Sequence, residues 1–490
     1  MGIAPSARAR IVGIDTVFKN LSGGAIRFLP QRVAVVGQGS SATTYSTDKR
    51  QVTSALEVGQ TYGFGSPVHL AALQLLPSNG DGIGTIPLTI YPLEDDGAGV
   101  AAVGGIDPSG TPAPATYIIR INNIDSEPFA VDTEDTLDEV RQAITGAINS
   151  NINMPVLAAY TIAVPVSITS KWKGESGNDL NIEVVASNTE GVTFAITQPT
   201  SGATNPDVDA ALNQIGGIWE TLVLNCMETL DIDTLGKYQT FGEGRWGELV
   251  KKPLMVFTGS TFADVTNSIL APGLGKTDRV NSQLVAPGSK DLPLTVAARQ
   301  LARIAVRANE NPAYDYGSLQ ATGLTPGTDA EQWTYIQRDE AIKGGSSSIK
   351  VKDGVINLAD TVTFYHPEGD PTPAYQYVVD VIKLQQIIYN IDLIFDSVEW
   401  DGAPLIPDDQ PTTNSAAKKP KMAKAEMASM IDSLADNAII SDPKTAKDSI
   451  VAAINGSNPK RLDVELTVQL SGNANIISVD LNFGFYFGGA

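Results

Sequence analysis

The most constraining stretch of the chain is its end, Arg461 to Phe487. In RLDVELTVQL, Leu462, Val464, Leu466, Val468 and Leu470 alternate with Arg461, Asp463, Glu465, Thr467 and Gln469. After Ser471–Asn475, a second run, IISVDLNFGFYF, sets Ile477, Val479, Leu481, Phe483, Phe485 and Phe487 between Ser478, Asp480, Asn482, Gly484 and Tyr486. Strict period two describes half-buried strands, because successive side chains point to opposite faces. The Gly472-Asn473 link predicts a hairpin between the two runs. Chain ends ordinarily fray, yet this pattern runs to within three residues of Ala490. Such a strand needs a partner edge, on its own subunit or on a neighbour. The alternative is the last strand pair of an ordinary sheet.

At 490 residues the chain has room for two to four domains. An apolar content of 42% supports sizeable cores and excludes a disordered chain. The formal charge of −21 argues against a general phosphate-binding surface, so no direct nucleic-acid contact is expected. The single cysteine, Cys226, forbids an intramolecular disulfide and fits a reducing compartment. Met1–Pro5 opens no signal peptide, and no apolar run is long enough to span a membrane.

Residues 1–20, with ARARIVGIDTVFKN, read as a tail or as a strand that adds to another subunit's sheet. RVAVVGQG (Arg32–Gly39) reads as a buried strand, 66–76 as a helix opened by Pro67, and IPLTIYPL (Ile86–Leu93) as a second strand. This order begins an α/β domain. Glu94–Pro114 is rich in glycine and proline and reads as a boundary. A strand at Tyr117–Ile124, an amphipathic helix at Asp135–Ser150 and three further strands follow, so 100–205 reads as an inserted α+β domain. The α/β pattern resumes over 206–400, with a helix at 207–225 carrying Cys226 at its end. A strand at Pro253–Gly259 and helices at 293–308 and Tyr375–Phe395 complete it. A Pro/Asp-rich loop (Pro404–Pro411), a basic cluster running into a helix, and a helix over Pro443–Ile454 lead to the terminal strands.

Three fragments of catalytic chemistry occur, each incomplete. Gly37, Gly39 and Ala42 have G-x-G-x-x-A spacing after a strand, but the polar SSATTYSTDKR offers no helix to hold a pyrophosphate. Gly273-Leu274-Gly275-Lys276-Thr277 ends like a phosphate loop, but Leu270 stands where its first glycine belongs. His69 and His366 are the only histidines, and His69 sits in an apolar helix as a satisfied core residue would. Cys226 reads as a small buried hydrophobe. No catalytic, cofactor-binding or metal residue is therefore assigned. Lys418, Lys419, Lys421 and Lys424 cluster within seven residues of an acidic chain. They read either as a solvated loop and first helical turn or as a docking patch for an acidic surface. Lysines at a helix start oppose its dipole, which favours a purpose beyond helix stability.

Taken in order, RVAVVGQG, YGFGSPVHLAALQLLPSNGDGIGTIPLTIYPL, WKGESGND (Trp172–Asp179), the long helix and the terminal strands resemble the tail sheath subunit of contractile bacteriophage tails, in its Mu-like branch. The resemblance runs nearly end to end and lies in the combination rather than in one motif. It implies a structural protein and not an enzyme, with no cofactor. The implied fold is multidomain, α/β and α+β: an α/β core (22–99 and 206–400), an outward-facing β-rich insertion (100–205), an inner C-terminal domain (401–475) and terminal strand arms (1–21 and 476–490). The implied partners are copies of itself in hexameric rings wound as a six-start helix, the inner tail tube protein, and baseplate and tail terminator proteins. The implied place is the virion tail, assembled in the host bacterial cytoplasm. It further implies arms that add strands to neighbouring subunits, through Ile11, Val12, Ile14 and Val17 at the start and Ile477, Val479, Leu481, Phe483 and Phe485 at the end. Val464, Leu466 and Val468 would belong to the receiving strand, and the four lysines would face the tube. Another self-assembling shell or surface-lattice protein, and a nucleotide-dependent enzyme, are the rival classes.

Overall fold

The computed structural model describes residues 26–188, 191–227, 231–269, 278–367, 369, 374–475, 477–481 and 483. The chain forms two compact units: Leu29–Gln385, and Gln386 onward together with the chain start up to Phe28.

The first unit opens with β1 (Val33–Gln38), every residue of which is buried. A parallel strand covered on both faces needs a continuous apolar run, and VAVVGQ supplies it. The edge strand β2 (Arg50–Val52), helices α1 (Ala55–Tyr62) and α2 (Pro67–Leu75), and β3 (Leu88–Leu93) follow. α2 is the helix expected from Pro67 and its apolar spacing. α1 was not expected; its signal is Ser54, whose hydroxyl accepts from the Glu57 N–H at 3.2 Å.

The chain then leaves this sheet. β4 (Ala101–Gly110), β5 (Ala115–Ile121), β6 (Ile124–Asp125), β7 (Phe129–Val131), α3 (Leu137–Ser150), β8 (Val156–Ala159), β9 (Val166–Lys173), β10 (Ile182–Ala186) and β11 (Val192–Thr200) follow in turn. They build two antiparallel sheets, β11-β4-β9-β8 and β10-β5-β6 with β7 beside β5. α3 starts at a capping box between Thr136 and Glu139. Two expectations are corrected in this stretch. The glycine-rich boundary contains β4, a ten-residue strand whose alternating burial the sequence AAVGGIDPSG conceals. The strand expected over Tyr117–Ile124 breaks at Asn122 and Asn123, both at positive φ (45° and 63°), as a tight hairpin turn demands.

The return runs through α4 (Asp209–Ile215), β12 (Leu222–Asn225), α5 (Ile232–Gly244), β13 (Met255–Ser260), α6 (Val265–Ile269), β14 (Asn281–Val285), α7 (Pro293–Glu310), α8 (Tyr335–Lys343), β15 (Ser346–Lys352) and β16 (Val355–Asp360). Among the described residues the main sheet has eight strands in the order β16-β15-β14-β13-β12-β1-β3-β2. It is parallel from β15 to β3 and antiparallel at both ends. The helix expected over 207–225 is therefore wrong. α4 stops at Gly216, at φ 47°, and Leu222–Asn225 is a central strand between β1 and β13. A four-residue apolar run carries no periodicity that separates a helix from a buried strand.

Helix α9 (Val378–Phe395) begins three residues later than expected, because Tyr377 is bridged to Val362. In the second unit, α10 (Pro420–Asp436), β17 (Ile440–Ser441), α11 (Pro443–Asp448), β18 (Val451–Ile454), β19 (Leu462–Glu465) and β20 (Gln469–Leu470) surround a small core of Met427, Met430, Ile431, Leu434 and Ile439. The helix expected over Pro443–Ile454 ends at Asp448, and Val451–Ile454 is a strand paired with β19. The fold is multidomain, α/β and α+β, as expected. No helix among the described residues is long and apolar enough to cross a membrane.

Candidate assembly interface

The alternating segment Arg461–Leu470 is split between two partners. β19 pairs antiparallel with β18, Val464 opposite Ala452, and β20 pairs with β17, Leu470 opposite Ile440. Between those partners the chain makes the excursion of α11, so Leu466 and Val468 lie in no ladder. The Ser449 hydroxyl bridges the gap by accepting from the Thr467 N–H at 3.0 Å. Val464, Leu466 and Val468 are each half-buried, so the apolar side of this segment is only partly covered. Among the described residues β19 has one strand neighbour, β18, and β18 has no other.

Among the described residues, IISVDLNFGFYF forms no ladder with Arg461–Leu470. Ile477, Val479, Leu481 and Phe483 lie outside any strand and are 80, 78, 80 and 84% exposed. A lone added strand gains about 0.5–1.5 kcal/mol per ladder bond. Ordering it costs about 1–2 kcal/mol per residue. A lone strand therefore gains little by pairing unless the edge it joins also covers its apolar side chains. Four large apolar groups presented at period two are what a strand without its sheet looks like. Phe485 lies outside the described residues, as do Ile11, Val12, Ile14 and Val17. Near the chain start, Ile26 is the first described residue. Arg27 is clamped by Asn390 on α9, whose Oδ1 accepts from the Arg27 N–H at 3.0 Å and whose Nδ2 donates to the Arg27 carbonyl at 3.1 Å.

The lysine cluster divides. Lys418 is buried (6% exposed): its Nζ donates to Glu399 Oε2 at 2.9 Å and lies 5.2 Å from the Trp400 ring. It is a fastening of the second unit, not a surface charge. Lys419, on the N-terminal flank of α10, donates to the Gln410 carbonyl at 2.6 Å, and Lys421 to that of Asp408 at 3.3 Å. These two tie down the Pro/Asp-rich loop, with Lys421 and Lys424 exposed.

The fragments of catalytic chemistry have packing explanations. A Cβ on Gly37 would stand 2.7 Å from Cys226 Cβ, and one on Gly39 would strike the Tyr45 ring. The Gly39 N–H, which a phosphate would need, donates to the Tyr45 hydroxyl at 3.0 Å. The loop after β1 instead closes on a side chain of the protein's own. Asp95 accepts from Gln38 Nε2 and Ser41 Oγ, each at 2.5 Å, and from the Lys173 N–H at 3.3 Å. The carboxyl end of the central strand, where open α/β sheets bind ligands, is thus filled by the joint to β9. His69 Nδ1 accepts from the Gly65 N–H at 3.0 Å, and burial pushes its pKa down to about 4, so it is a neutral core residue. Cys226 is fully buried and its thiol pKa is pushed up by burial, as suits a small hydrophobe. Gly273–Thr277 lies outside the described residues. Among the described residues no group of three His, Cys, Asp or Glu side chains is placed to hold a metal ion.

No family model matches the chain. Its sequence is 24% identical over 398 residues to the tail sheath protein of the Mu-like prophage FluMu of Haemophilus influenzae, a match covering 78% of each chain. Among solved structures, a sheath tail protein of Listeria innocua covers 92% of this chain (94% of its own) at 11% identity and a TM-score of 0.49. One from Desulfitobacterium hafniense covers 94% (96% of its own) at 11% identity and a TM-score of 0.46. A chain of the anti-feeding prophage baseplate covers 97% (all of its own) at 9% identity and a TM-score of 0.47. The sequence match carries the assignment. It agrees with the resemblance read from the sequence: the chain is similar to a Mu-like tail sheath protein.

Proposed function

We propose, from the premise that this chain has the structural role of a phage tail sheath protein, that it stacks as hexameric rings around an inner tail tube and contracts to drive the tube through a host envelope. Assembly takes place in the host cytoplasm, and baseplate and tail terminator proteins bound the stack. One observation carries this reading: the second unit presents an open-edged strand, β19, and an exposed strand-like segment, Ile477–Phe483, in the same chain. A segment of this kind from one subunit completes the sheet of the next, and the chain start beyond Arg27 acts likewise through Ile11, Val12, Ile14 and Val17. Many such links act together in a lattice, so they persist while the bodies they join rotate.

In this arrangement residues 100–205 project outward from the ring. The exposed lysines, Lys421 and Lys424 with Lys419 beside them, make the screened contacts that hold extended rings on the tube and that contraction breaks. Negative-stain electron microscopy of the concentrated chain, alone and with its cognate tube protein, tests the proposal. Striated hollow tubes of uniform width are expected; closed shells or planar lattices would overturn it in favour of another self-assembling shell protein, and discrete particles under both conditions would overturn it outright.

A further inference from the structure

The β8 edge of the inserted sheet is closed by a side chain acting as a strand. Asn149, exposed near the end of α3, donates from Nδ2 to the Ala158 carbonyl at 2.8 Å and accepts the Ala158 N–H on Oδ1 at 3.0 Å. Ala158 lies opposite Ile168 of β9, with its own N–H and carbonyl turned away from β9. These are the groups another strand would engage at this outermost strand of the sheet. No charge guards the edge itself. VLAA carries no charge on a chain of net charge −21, and Leu157, Ile162 and Val164 beside it are 48, 70 and 46% exposed.

We infer that β8 is a latent self-association edge, complementary to β8 of a second copy in a two-fold antiparallel pair, and that Asn149 keeps it shut. A two-fold contact cannot repeat within a polar stack of rings, so opening this edge joins separate particles instead of building one. The uncharged strand lets two acidic copies meet without placing like charges opposite one another.

The test uses the full chain carrying Ile477→Ser, Val479→Ser, Leu481→Ser and Phe483→Ser, so that assembly through the end of the chain does not obscure the result. Ala159→Cys places a thiol on the exposed side of β8, and the one native thiol, Cys226, is buried. Under mild oxidant, Asn149→Ala should raise disulfide dimer formation by about tenfold or more over the Asn149 parent, because two backbone groups lose their partner. Asn149→Ser, which cannot bond both Ala158 atoms, should also crosslink faster. Asn149→Asp, which leaves a charge on the edge, should not. Equal crosslinking in all four chains, or none in any, with unchanged thermal midpoints, would overturn the inference. Such a result would leave the sheath reading intact, because assembly through the C-terminal segment is read separately in the chain without the four serines.

Discussion

The two units treat their strand edges in opposite ways. In Leu29–Gln385, β8 is closed by Asn149. β10 is closed by Gln198, which accepts from the Ile182 N–H at 2.7 Å and donates to its carbonyl at 3.0 Å. β16 is covered by Ser318–Ala321, which exchanges backbone bonds with Ile356 and Leu358. β2 is short and carries Arg50 paired to Glu57, and β11 is bent by a register shift beside Pro199. These are the devices by which soluble proteins avoid unwanted pairing. In the second unit, β18 and β19 form a two-stranded ribbon that no further strand covers among the described residues, next in sequence to four exposed apolar side chains. The proposed assembly site thus lies where, among the described residues, strand edges are left uncovered.

The largest expected effect breaks that contrast at the bare end. Ile477→Ser, Val479→Ser, Leu481→Ser and Phe483→Ser together should abolish tube formation in sedimentation and microscopy. The thermal midpoint of the unassembled chain should stay within about 1 °C, because side chains this exposed contribute little to the subunit's own stability. A large drop in that midpoint would mean that they pack within the subunit.

Next in size is a pH effect confined to the guarded unit. His69 is held neutral, its pKa pushed by burial down to about 4. The unfolded chain therefore binds a proton that the folded one does not as pH falls below the ordinary histidine value. This contribution is complete above about pH 6.5 and is lost as pH drops toward 4, roughly 2–3 kcal/mol in all. Urea titrations of His69→Gln against the parent at pH 7 and pH 5 should show the difference between the two chains shrinking at the lower pH. A constant difference would show that His69 does not titrate this way.

Smaller again, Lys418→Ala should cost the second unit about 1–2 kcal/mol, from the lost aliphatic packing and the contact with Trp400. Lys424→Glu, at an exposed position, should stay within about 0.5 kcal/mol. In co-sedimentation with tubes, Lys424→Glu should weaken binding in low salt and make no difference in high salt. If the two lysines behave alike in both assays, the division between fastening and surface charge is wrong.

Much of the fold was legible because its strongest elements carry strong periodicity or clear start signals, such as α3 with its capping box and α7 with Pro293. The misses share a cause. β12 and β18 are four residues each, too short to show a period, and their type is set by neighbours distant in sequence, β1 and β13 for one and β19 for the other. β4 is hidden by glycine and proline, whose place in a strand depends on the partner side chains they make room for. At the interface, the alternation of Ile477–Phe483 was visible in the sequence. That it joins no strand among the described residues was not, since a period of two states that a face will be buried and not by what. The lysines show the reverse failure: composition grouped four charges, and only the position of Trp400 and Glu399 separates Lys418 from the others. The amide clamps at Asn149 and Gln198 left no signal at all, because each joins a side chain to a backbone group of another element.

The central claim is that strand exchange is confined to the second unit, and hydrogen–deuterium exchange of the chain before and after assembly tests it most directly. Amides of Leu462–Leu470 and of the segment containing Ile477–Phe483 should slow markedly on assembly, while those of β8 and β10 keep the rates they have in the free chain. Protection gained on β8 and β10, with the C-terminal segment still exchanging freely, would contradict the account.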